Sequence, residues 1–287
     1  MGKTDGMADT ALVLGAGGVT GSAWETGILY GLAQAGADPT AADLIIGSSA
    51  GAVVGAQVAS GALGLAELYE LQLSDPRGMT GGRLGAAALL RYAGAVLSAR
   101  TPEAYGRKLA GIAARSKAGI TAEERRAAIA DCLPSSDWPE RPLLITAVDA
   151  VSGELHAFDR SGGVALVDAV TASCAVPAVW PVATAGGRSW IDGGVHSPAN
   201  AQLAEGYERV VIIAPTASGN KVIASPRSQA DRLAARGARV EVVTPDPAAK
   251  RAFGRNPLDP SRRAAAARAG LAQAAAHADA VAAVVSR

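Results

Sequence analysis

Residues 43–52 read DLIIGSSAGA, and this stretch decides the fold class of the chain. An apolar run enters a turn made only of small residues, and an apolar helical pattern leaves it. In one register the turn matches the pattern G-x-S-x-G, with Gly47 first, Ser49 central and Gly51 last. A serine on a sharp turn between a strand and a helix is typical of a nucleophile elbow. The stretch therefore predicts an α/β fold with a reactive serine.

The geometry of such an elbow decides which of its two serines is the nucleophile. Residues two before and two after the central position nearly touch, so a side chain there would clash, and Gly47 and Gly51 fit this requirement. The central residue lies at the start of the following helix, where free N–H groups and the helix dipole favour negative charge. We therefore predict that Ser49 is the nucleophile and that Ser48 is a small spacer.

Predicted strands and helices alternate along the rest of the chain. Most of the strands are continuous apolar runs, as expected for strands buried on both faces of a parallel sheet. We predict strands at 11–15, 44–47, 143–149, 155–159, 189–192, 209–214 and 240–244. We predict helices at 22–34, 50–59, 65–73, 104–114, 122–132, 164–172, 200–204, 230–236 and 261–286. This alternation predicts a three-layer α/β/α sandwich with a mainly parallel central sheet.

The chain has 287 residues and shows no internal repeat or interdomain linker, so we predict one domain at 10–287 after a disordered leader at 1–9. The segment 74–101 is rich in Gly and Arg and interrupts the alternation. It contains an amphipathic helical pattern at 84–97. That helix is either a lid or lipid-facing element, or a peripheral packing helix.

Composition excludes several classes of protein. Apolar residues make up 49% of the chain and the formal net charge is +1, so there is no basic footprint for nucleic acid. The two cysteines, Cys132 and Cys174, lie in no CxxC or metal-like spacing, which favours a reduced cytoplasmic protein over a disulfide-stapled secreted one. We expect neither a metal nor a cofactor. The uncharged stretch 44–66 is too rich in Gly, Ser and Ala for a membrane span.

A second glycine-rich turn follows the first predicted strand, in the sequence GAGGVTGSAWETGIL. Gly15, Gly18 and Gly21 match the G-x-x-G-x-x-G spacing of a dinucleotide loop, whereas bare N–H groups of Gly17 and Gly18 would suit an oxyanion hole. A short-chain reductase needs a Tyr-x-x-x-Lys pair, and a Rossmann fold an acid after its second strand; neither is present. A hydrolase explains both turns, whereas a dehydrogenase explains one.

A serine hydroxyl needs a base, and the histidines are poor candidates. His156 lies in a predicted strand and His277 in the Ala-rich tail, and no distinctive motif surrounds either of them or His196. The carboxylates offer more, because Asp149 and Asp192 each end a predicted strand.

Asp192 ends a short predicted strand in RSWIDGGVHSPAN, and Gly193 and Gly194 follow it. Glycines beside a carboxylate let a second group approach it closely. Asp149 ends the strand LLITAVD and is the rival, but the turn that follows it favours a capping role. We therefore predict Asp192 as the base.

These features together resemble the patatin-like phospholipases: a glycine loop after the first strand, G-x-S-x-G after the second, and a late D-G-G. The segment TASCAVPAVWPV at 171–182 resembles the family's A-S-x-A-x-P-x-x-F-P-P-V, and the resemblance runs from about residue 11 to 200. It implies a Ser–Asp dyad without histidine. Ser49 would be the nucleophile and Asp192 the base, and the loop at Gly17 and Gly18 would form the oxyanion hole.

The chain departs from the family pattern at two positions. The family loop reads G-G-G-x-[RK]-G, whereas Thr20 stands here in place of the basic residue, and Trp180 replaces the usual Phe. We expect the missing basic residue to weaken either the positioning of the loop or the recognition of an anionic headgroup. The tryptophan is a packing change.

We therefore predict a serine acyl hydrolase of the phospholipase A or lysophospholipase type, acting on lipid or other acyl esters with transient contact to a membrane surface. Two other classes stay open. One is an NAD(P)-binding reductase, and the other is a catalytically weak lipid-binding protein on the same fold.

Overall fold

The apolar runs of the sequence form one mixed sheet. The computed structural model describes residues 10–74 and 81–286. Within these residues the sheet has eight strands: β1 (Thr10–Leu14), β2 (Leu44–Ser48), β3 (Leu143–Asp149), β4 (Leu155–Phe158), β5 (Ala183–Ala185), β6 (Arg188–Asp192), β7 (Arg209–Ile213) and β8 (Arg239–Val243).

The strand order is β5-β6-β3-β2-β1-β7-β8, with β4 paired to β3 outside this path. The five strands from β3 to β8 along this path pair in parallel, whereas the pairings β3–β4, β3–β6 and β5–β6 are antiparallel. The carboxyl ends of β1 and β2 are therefore neighbours, which is where open α/β sheets bind ligands.

Helices connect the strands. The described residues contain α1 (Gly18–Gln34), α2 (Ala50–Ser60), α3 (Leu65–Leu73), α4 (Ala86–Ser98), α5 (Pro102–Ala114), α6 (Ala122–Ala130), α7 (Leu166–Ser173), α8 (Pro226–Ala234), α9 (Pro247–Phe253), α10 (Arg263–Ala274) and α11 (Ala278–Val285). None of these helices is long and apolar enough to cross a membrane.

The alternation of side chains along β1 shows how the layers form. Leu12 and Leu14 pack in a cluster with residues of α1, α2, α7 and α10, whereas Ala11 and Val13 pack on the opposite face with α8. All four side chains are fully buried, as a central strand covered on both faces requires. The molecule is thus an α/β/α sandwich around a mostly parallel sheet, and the predicted fold class is confirmed.

The helix predicted at 261–286 is wrong as one element, because the chain breaks between α10 and α11. The N–H groups of Ala276 and His277 bond back to the carbonyls of Gln273 and Ala274, which closes α10 in a turn. Two packing surfaces explain the break. α10 packs along α1, whereas α11 packs against β7 and β8. Its Ala-rich sequence carries no signal for this change of direction.

Three further elements differ from the prediction. The helix predicted at 200–204 is a 3₁₀ turn, Ala201–Ala204, because Asn200 adopts a left-handed conformation with φ +54°. The sequence pattern missed β5, whose three residues are too few for a periodic signal. It also missed α9, although Asp246 and Pro247 form a readable start: the Asp246 side chain accepts a hydrogen bond from the Ala249 N–H at 2.6 Å.

The predicted segment 74–101 contains α4, which matches the amphipathic pattern seen in the sequence. One face of α4 packs inward through Tyr92 and Ala95, and the opposite face leaves Leu90 and Leu97 largely exposed. Residues 75–80 of this segment, and the leader predicted at 1–9, lie outside the described residues.

Candidate active site

Ser49 occupies the sharp turn between β2 and α2, where it has the uncommon backbone angles φ +54° and ψ −111°. A non-glycine residue with positive φ is strained, and such strain is concentrated at functional sites. The flanking glycines make the turn sterically feasible. A Cβ on Gly47 would lie 2.5 Å from the Gly51 carbonyl oxygen, and one on Gly51 would lie 2.1 Å from that of Leu14.

The Ser49 hydroxyl donates a hydrogen bond of 2.7 Å to Asp192 Oδ2. Sheet register explains the meeting. Ser48 pairs with Thr146 of β3, and Asp192 pairs with Ala147, the next residue of the same strand. The other carboxylate oxygen, Oδ1, accepts a hydrogen bond of 2.8 Å from the Gly194 N–H, so the carboxylate is held at both ends.

Burial sets the ionisation of this pair. Asp192 is 5% exposed, and desolvation raises its pKa to about 6. Hydrogen bonds from Ser49 and Gly194, together with the positive charge of Arg125, limit the increase because they favour the charged form. The carboxylate is therefore ionised at neutral pH but is far more basic than an ordinary aspartate.

A buried polar network next to Ser49 and Asp192 belongs to no motif that the sequence shows. Asn200 Nδ2 donates to Ser48 Oγ at 2.9 Å and to the Gly193 carbonyl oxygen at 3.0 Å. Ser48 Oγ and Thr146 Oγ1 lie 2.6 Å apart. Ser48 thus does more than fill space, because it links the elbow to the loop that carries Asp192.

The glycine loop lies between β1 and α1. Gly17 caps α1, and Gly18 begins it with φ +65°. Neither Gly17 nor Gly18 donates its N–H to another described group, so both N–H groups are free to bind an anion. Gly15 ties the loop to the elbow, because its carbonyl oxygen accepts a hydrogen bond of 2.9 Å from the Gly51 N–H.

Residues from the last part of the chain hold this loop in place. Thr20 is fully buried, and both its N–H and its hydroxyl donate to the Pro257 carbonyl oxygen, at 3.0 and 3.3 Å. Gly21 lies against Pro215, which a Cβ at that position would approach to 3.1 Å. The position that carries a basic residue in the family pattern therefore serves here as an anchor for the loop.

The three histidines lie in other contacts. His156 stacks beside Phe158, with ring centroids 4.6 Å apart. His196 Nδ1 lies 3.0 Å from Asn200 Oδ1, and His277 Nδ1 lies 3.2 Å from Glu241 Oε1. None of these histidines hydrogen-bonds to Ser49 or Asp192.

Asp149, the rival carboxylate, caps the turn after β3. Its Oδ1 accepts hydrogen bonds from the N–H groups of Val151 and Ser152, and its Oδ2 pairs with Arg188 at 2.7 Å. Burial raises the pKa of Asp149, but these hydrogen bonds and the Arg188 charge outweigh burial and hold it below its ordinary value. The group is engaged as a structural anion.

Ser49 lies between two cavities. One of about 320 Å³ extends towards α6 and is lined mainly by apolar side chains. The other cavity, of about 280 Å³, is also lined by Asp192 and by Tyr92 of α4. A larger groove of about 670 Å³ near Ser197 does not reach either dyad residue. The described residues contain no group of three or more His, Cys, Asp or Glu side chains that could hold a metal ion.

Comparison with known proteins identifies the family. The sequence model of the patatin-like phospholipase family matches residues 12–205, more than half of the chain. The chain therefore belongs to the patatin-like phospholipase family, which supports a lipid hydrolase in general terms. A search of curated proteins found no match.

Two solved structures resemble the fold at low sequence identity. The first is VipD from Legionella pneumophila, 12% identical with a TM-score of 0.47; the match covers 95% of this chain and 67% of VipD. The second is the type III effector protein ExoU, 17% identical with a TM-score of 0.44; the match covers 95% of this chain and 53% of ExoU.

Proposed function

We propose that the protein is a serine acyl hydrolase that cleaves lipid esters with a Ser49–Asp192 dyad. The observation that carries this proposal is the 2.7 Å hydrogen bond from the Ser49 hydroxyl to Asp192, with the dyad beside the free N–H groups of Gly17 and Gly18. Membership of the patatin-like phospholipase family supports a lipid as the substrate. The phospholipase A or lysophospholipase type is part of the proposal.

The reaction follows from this arrangement. Asp192 Oδ2 accepts the hydroxyl proton as Ser49 Oγ attacks the ester carbonyl carbon. The N–H groups of Gly17 and Gly18, at the positive end of α1, stabilise the oxyanion that forms. The carbon–oxygen bond to the alcohol then breaks, and Asp192 returns the proton to the leaving oxygen.

Hydrolysis of the acyl-enzyme repeats these steps with water. Asp192 takes a proton from the water as its oxygen attacks the acyl carbon, and the second tetrahedral intermediate collapses to release the fatty acid. The proton then returns to Ser49 Oγ. No metal or cofactor enters this sequence of steps.

Two other functions were drawn from the sequence: a dinucleotide-binding reductase and a catalytically weak lipid-binding protein. The second rested on the missing basic residue of the glycine loop. Because Thr20 anchors the loop to Pro257, the loop is held without that residue, and this supports an active hydrolase. A reductase has no use for the 2.7 Å hydrogen bond from Ser49 to Asp192, whereas the hydrolase uses it directly.

We also propose that the outer face of α4 contacts the surface of the substrate membrane. Leu90 and Leu97 are 75% and 74% exposed, and Ala86 and Ala93 complete the same stripe at helical spacing. Residues 81–101 contain three arginines and no acidic residue. A leucine stripe flanked by arginines fits an anionic lipid surface.

A fluorophosphonate probe tests the nucleophile. We expect the probe to label Ser49 and leave Ser48 unmodified, because Ser49 alone bonds to Asp192. We expect Ser49→Ala to lower kcat for p-nitrophenyl butyrate by ~10³-fold or more. Peptide mapping by mass spectrometry locates the label. A label on Ser48, or an active Ser49→Ala enzyme, would contradict the assignment.

A further inference from the structure

The cavity between Ser49 and α6 combines apolar walls with unpaired polar atoms. Val53, Ile129 and Val176 form part of its apolar lining. Five buried side-chain nitrogen or oxygen atoms of the described residues have no hydrogen-bond partner, and three of them belong to residues that line this cavity: Arg125 Nε, Trp180 Nε1 and Gln57 Oε1.

Arg125 and Trp180 lie against each other. The guanidinium carbon of Arg125 stacks 4.4 Å from the centroid of the Trp180 ring. The guanidinium forms no ion pair and no hydrogen bond with any described residue. Arg263 lines the same cavity but is engaged, because it donates to the Leu71 and Ser74 carbonyl oxygens. Arg125 is thus held in place by stacking while its donors stay available.

We infer that Arg125 and Trp180 form a subsite for an anionic oxygen group of the substrate, a phosphate or a carboxylate. This inference rests on the proposed function, since it concerns the substrate of the same site. Buried donors without an acceptor are unfavourable, and an anionic oxygen supplies the acceptor that these N–H groups lack. The planar guanidinium fork matches phosphate and carboxylate in particular.

The position of Arg125 places the anion near the reacting ester. Arg125, Cys174 and Ser49 line the same cavity. Burial raises the pKa of Asp192 and of Cys174, and the Arg125 charge limits both increases. The glycine loop lacks a positive charge, since Thr20 stands in place of the basic residue and bonds to Pro257. Arg125 supplies a positive charge to the cavity from α6 instead. An anionic group bound there shares the cavity with the ester carbon that Ser49 attacks.

Two other polar residues of the lining, Gln57 and Asp131, bear on which substrate fits. Gln57 donates through Nε2 to the Cys132 carbonyl oxygen, which leaves Oε1 as an acceptor for a hydroxyl. Asp131 is the one carboxylate in the lining. Its side chain is exposed and forms no ion pair with Arg125, so it does not neutralise the guanidinium. Phosphate beside a hydroxyl is the chemistry of an acylated glycerophosphate.

Matched esters that differ only in charge test the subsite. One pair is 1-octanoylglycerol and its 3-phosphate, and the other is p-nitrophenyl octanoate and mono-p-nitrophenyl suberate, which carries a terminal carboxylate. The short chains keep all four esters in solution and exclude effects of a lipid surface. The measurement is kcat/KM for each ester with the wild type, Arg125→Met, Arg125→Lys and the control Arg126→Met.

Arg126 is the matched control, because it is the next residue on α6 and pairs with Asp168 at 2.5 Å outside the cavity. We expect the wild type to prefer the anionic member of at least one pair. Arg125→Met should lower that preference by about 10- to 100-fold, the loss expected for charge-assisted hydrogen bonds, and Arg125→Lys should recover part of it. Arg126→Met should keep the preference.

The pair that shows the loss identifies phosphate or carboxylate as the group that is bound. If Arg125→Met lowers kcat/KM equally for charged and neutral esters, Arg125 acts only through Asp192, and the subsite is overturned. An unchanged preference for the anionic ester would overturn it as well. If the wild type cleaves none of the four esters, the proposed function fails. Calorimetric binding of octyl phosphate to wild type and Arg125→Met then decides the subsite, and equal affinity would overturn it.

Discussion

As the proposed base, Asp192 combines two requirements that oppose each other. A base must be ionised, yet burial against Ser49 makes the ionised form costly, and the pKa of Asp192 rises to about 6 as a result. A more exposed carboxylate would ionise at no cost but would take a proton from serine less readily. The site thus gains basicity at the expense of folding stability, and both quantities are measurable.

The pH dependence of activity follows from this pKa. Only ionised Asp192 can accept the serine proton, so we expect kcat/KM for a neutral ester to rise with pH through about 6 and to level off above it. Asp192→Asn should lower kcat by ~10²-fold or more. A profile without a transition between pH 5 and about 7 would contradict a carboxylate base with this raised pKa.

Although Asp192→Asn should lose activity, it should gain folding stability at neutral and alkaline pH. The folded-state pKa lies above the ordinary value of 3.8, so the folded wild type binds more protons and loses stability as pH rises through about 6. Asparagine carries no such cost. We expect its free energy of unfolding at pH 8 to exceed that of the wild type by roughly 1–3 kcal/mol, with the gap closing near pH 4.

Asp149→Asn is the control for this measurement. Asp149 has a lowered pKa and holds Arg188 and the turn after β3, so its replacement should lower the melting temperature at pH 8. Thermal unfolding of the three proteins between pH 4 and 8 gives the comparison. If Asp192→Asn is less stable than the wild type at pH 8, burial of the charged carboxylate does not destabilise the wild type as expected.

At this scale the sequence predicted residues that belong to local motifs. G-x-S-x-G and D-G-G are short patterns, and the structure brings Ser49 and Asp192 of these motifs to 2.7 Å. Arg125 and Asn200 could not be predicted, because each reaches the site from an element with no motif of its own. Only sheet register and helix packing bring such residues together.

At the scale of elements, α4 has two faces with different surroundings. Tyr92 faces inward and donates through its hydroxyl to the Pro177 carbonyl oxygen at 2.9 Å, which connects the helix to the wall of the active-site cleft. Lys221 Nζ donates to the Leu97 carbonyl oxygen at 2.6 Å and closes the carboxyl end of the helix. α4 is therefore fixed to the cleft while its leucine stripe stays exposed.

Replacing both exposed leucines with glutamate tests the proposed lipid contact. We expect Leu90→Glu/Leu97→Glu to reduce binding to vesicles of phosphatidylcholine and phosphatidylglycerol by about tenfold or more, because apolar area and charge complementarity are both lost. Hydrolysis of soluble p-nitrophenyl butyrate should be nearly unchanged. Co-sedimentation with vesicles measures the first quantity.

The control variant is Ala234→Glu, which adds an exposed charge to α8. This variant should bind vesicles as the wild type does. If the double variant binds equally well, α4 is not the lipid contact. A strong loss of activity on the soluble ester would instead show that the leucines support the fold of the site.

Helices were predictable where an apolar stripe or a cap marks them, as in α4 and α6. α6 begins at a capping box in which Thr121 and Glu124 bond to each other's backbone N–H groups. The long helix predicted at 261–286 failed because alanine supports a helix of any length. What divides it is packing against two different elements, which no local pattern encodes.

At the scale of the whole molecule, the last part of the chain completes the site. The family match ends at residue 205, whereas β7, β8 and four helices follow it. Gln273 connects α10 to α1 and to the segment between β8 and α9. Its Oε1 accepts hydrogen bonds from Trp24 Nε1 at 3.1 Å and the Asp246 N–H at 3.2 Å, and its Nε2 donates to the Thr244 carbonyl oxygen at 2.8 Å.

Replacing Gln273 with leucine should therefore destabilise the molecule. Three polar groups lose their partner, and we expect a loss of ~2–4 kcal/mol and a melting temperature lower by roughly 5–15 °C. Gln34→Leu, at the exposed end of α1, is the control and should change little. Calorimetry measures both, and a melting temperature of Gln273→Leu equal to that of the control would contradict this role.

The anchoring of Thr20 by Pro257 sets an order of assembly during synthesis of the chain. A ribosome makes the glycine loop before its anchors, Pro215 and Pro257, which follow about two hundred residues later. The nascent chain therefore carries Ser49 and Asp192 before it carries the support for the proposed oxyanion hole. Hydrolytic activity should begin only after residue 257 has left the ribosome, which spares nearby membranes from partly made chains.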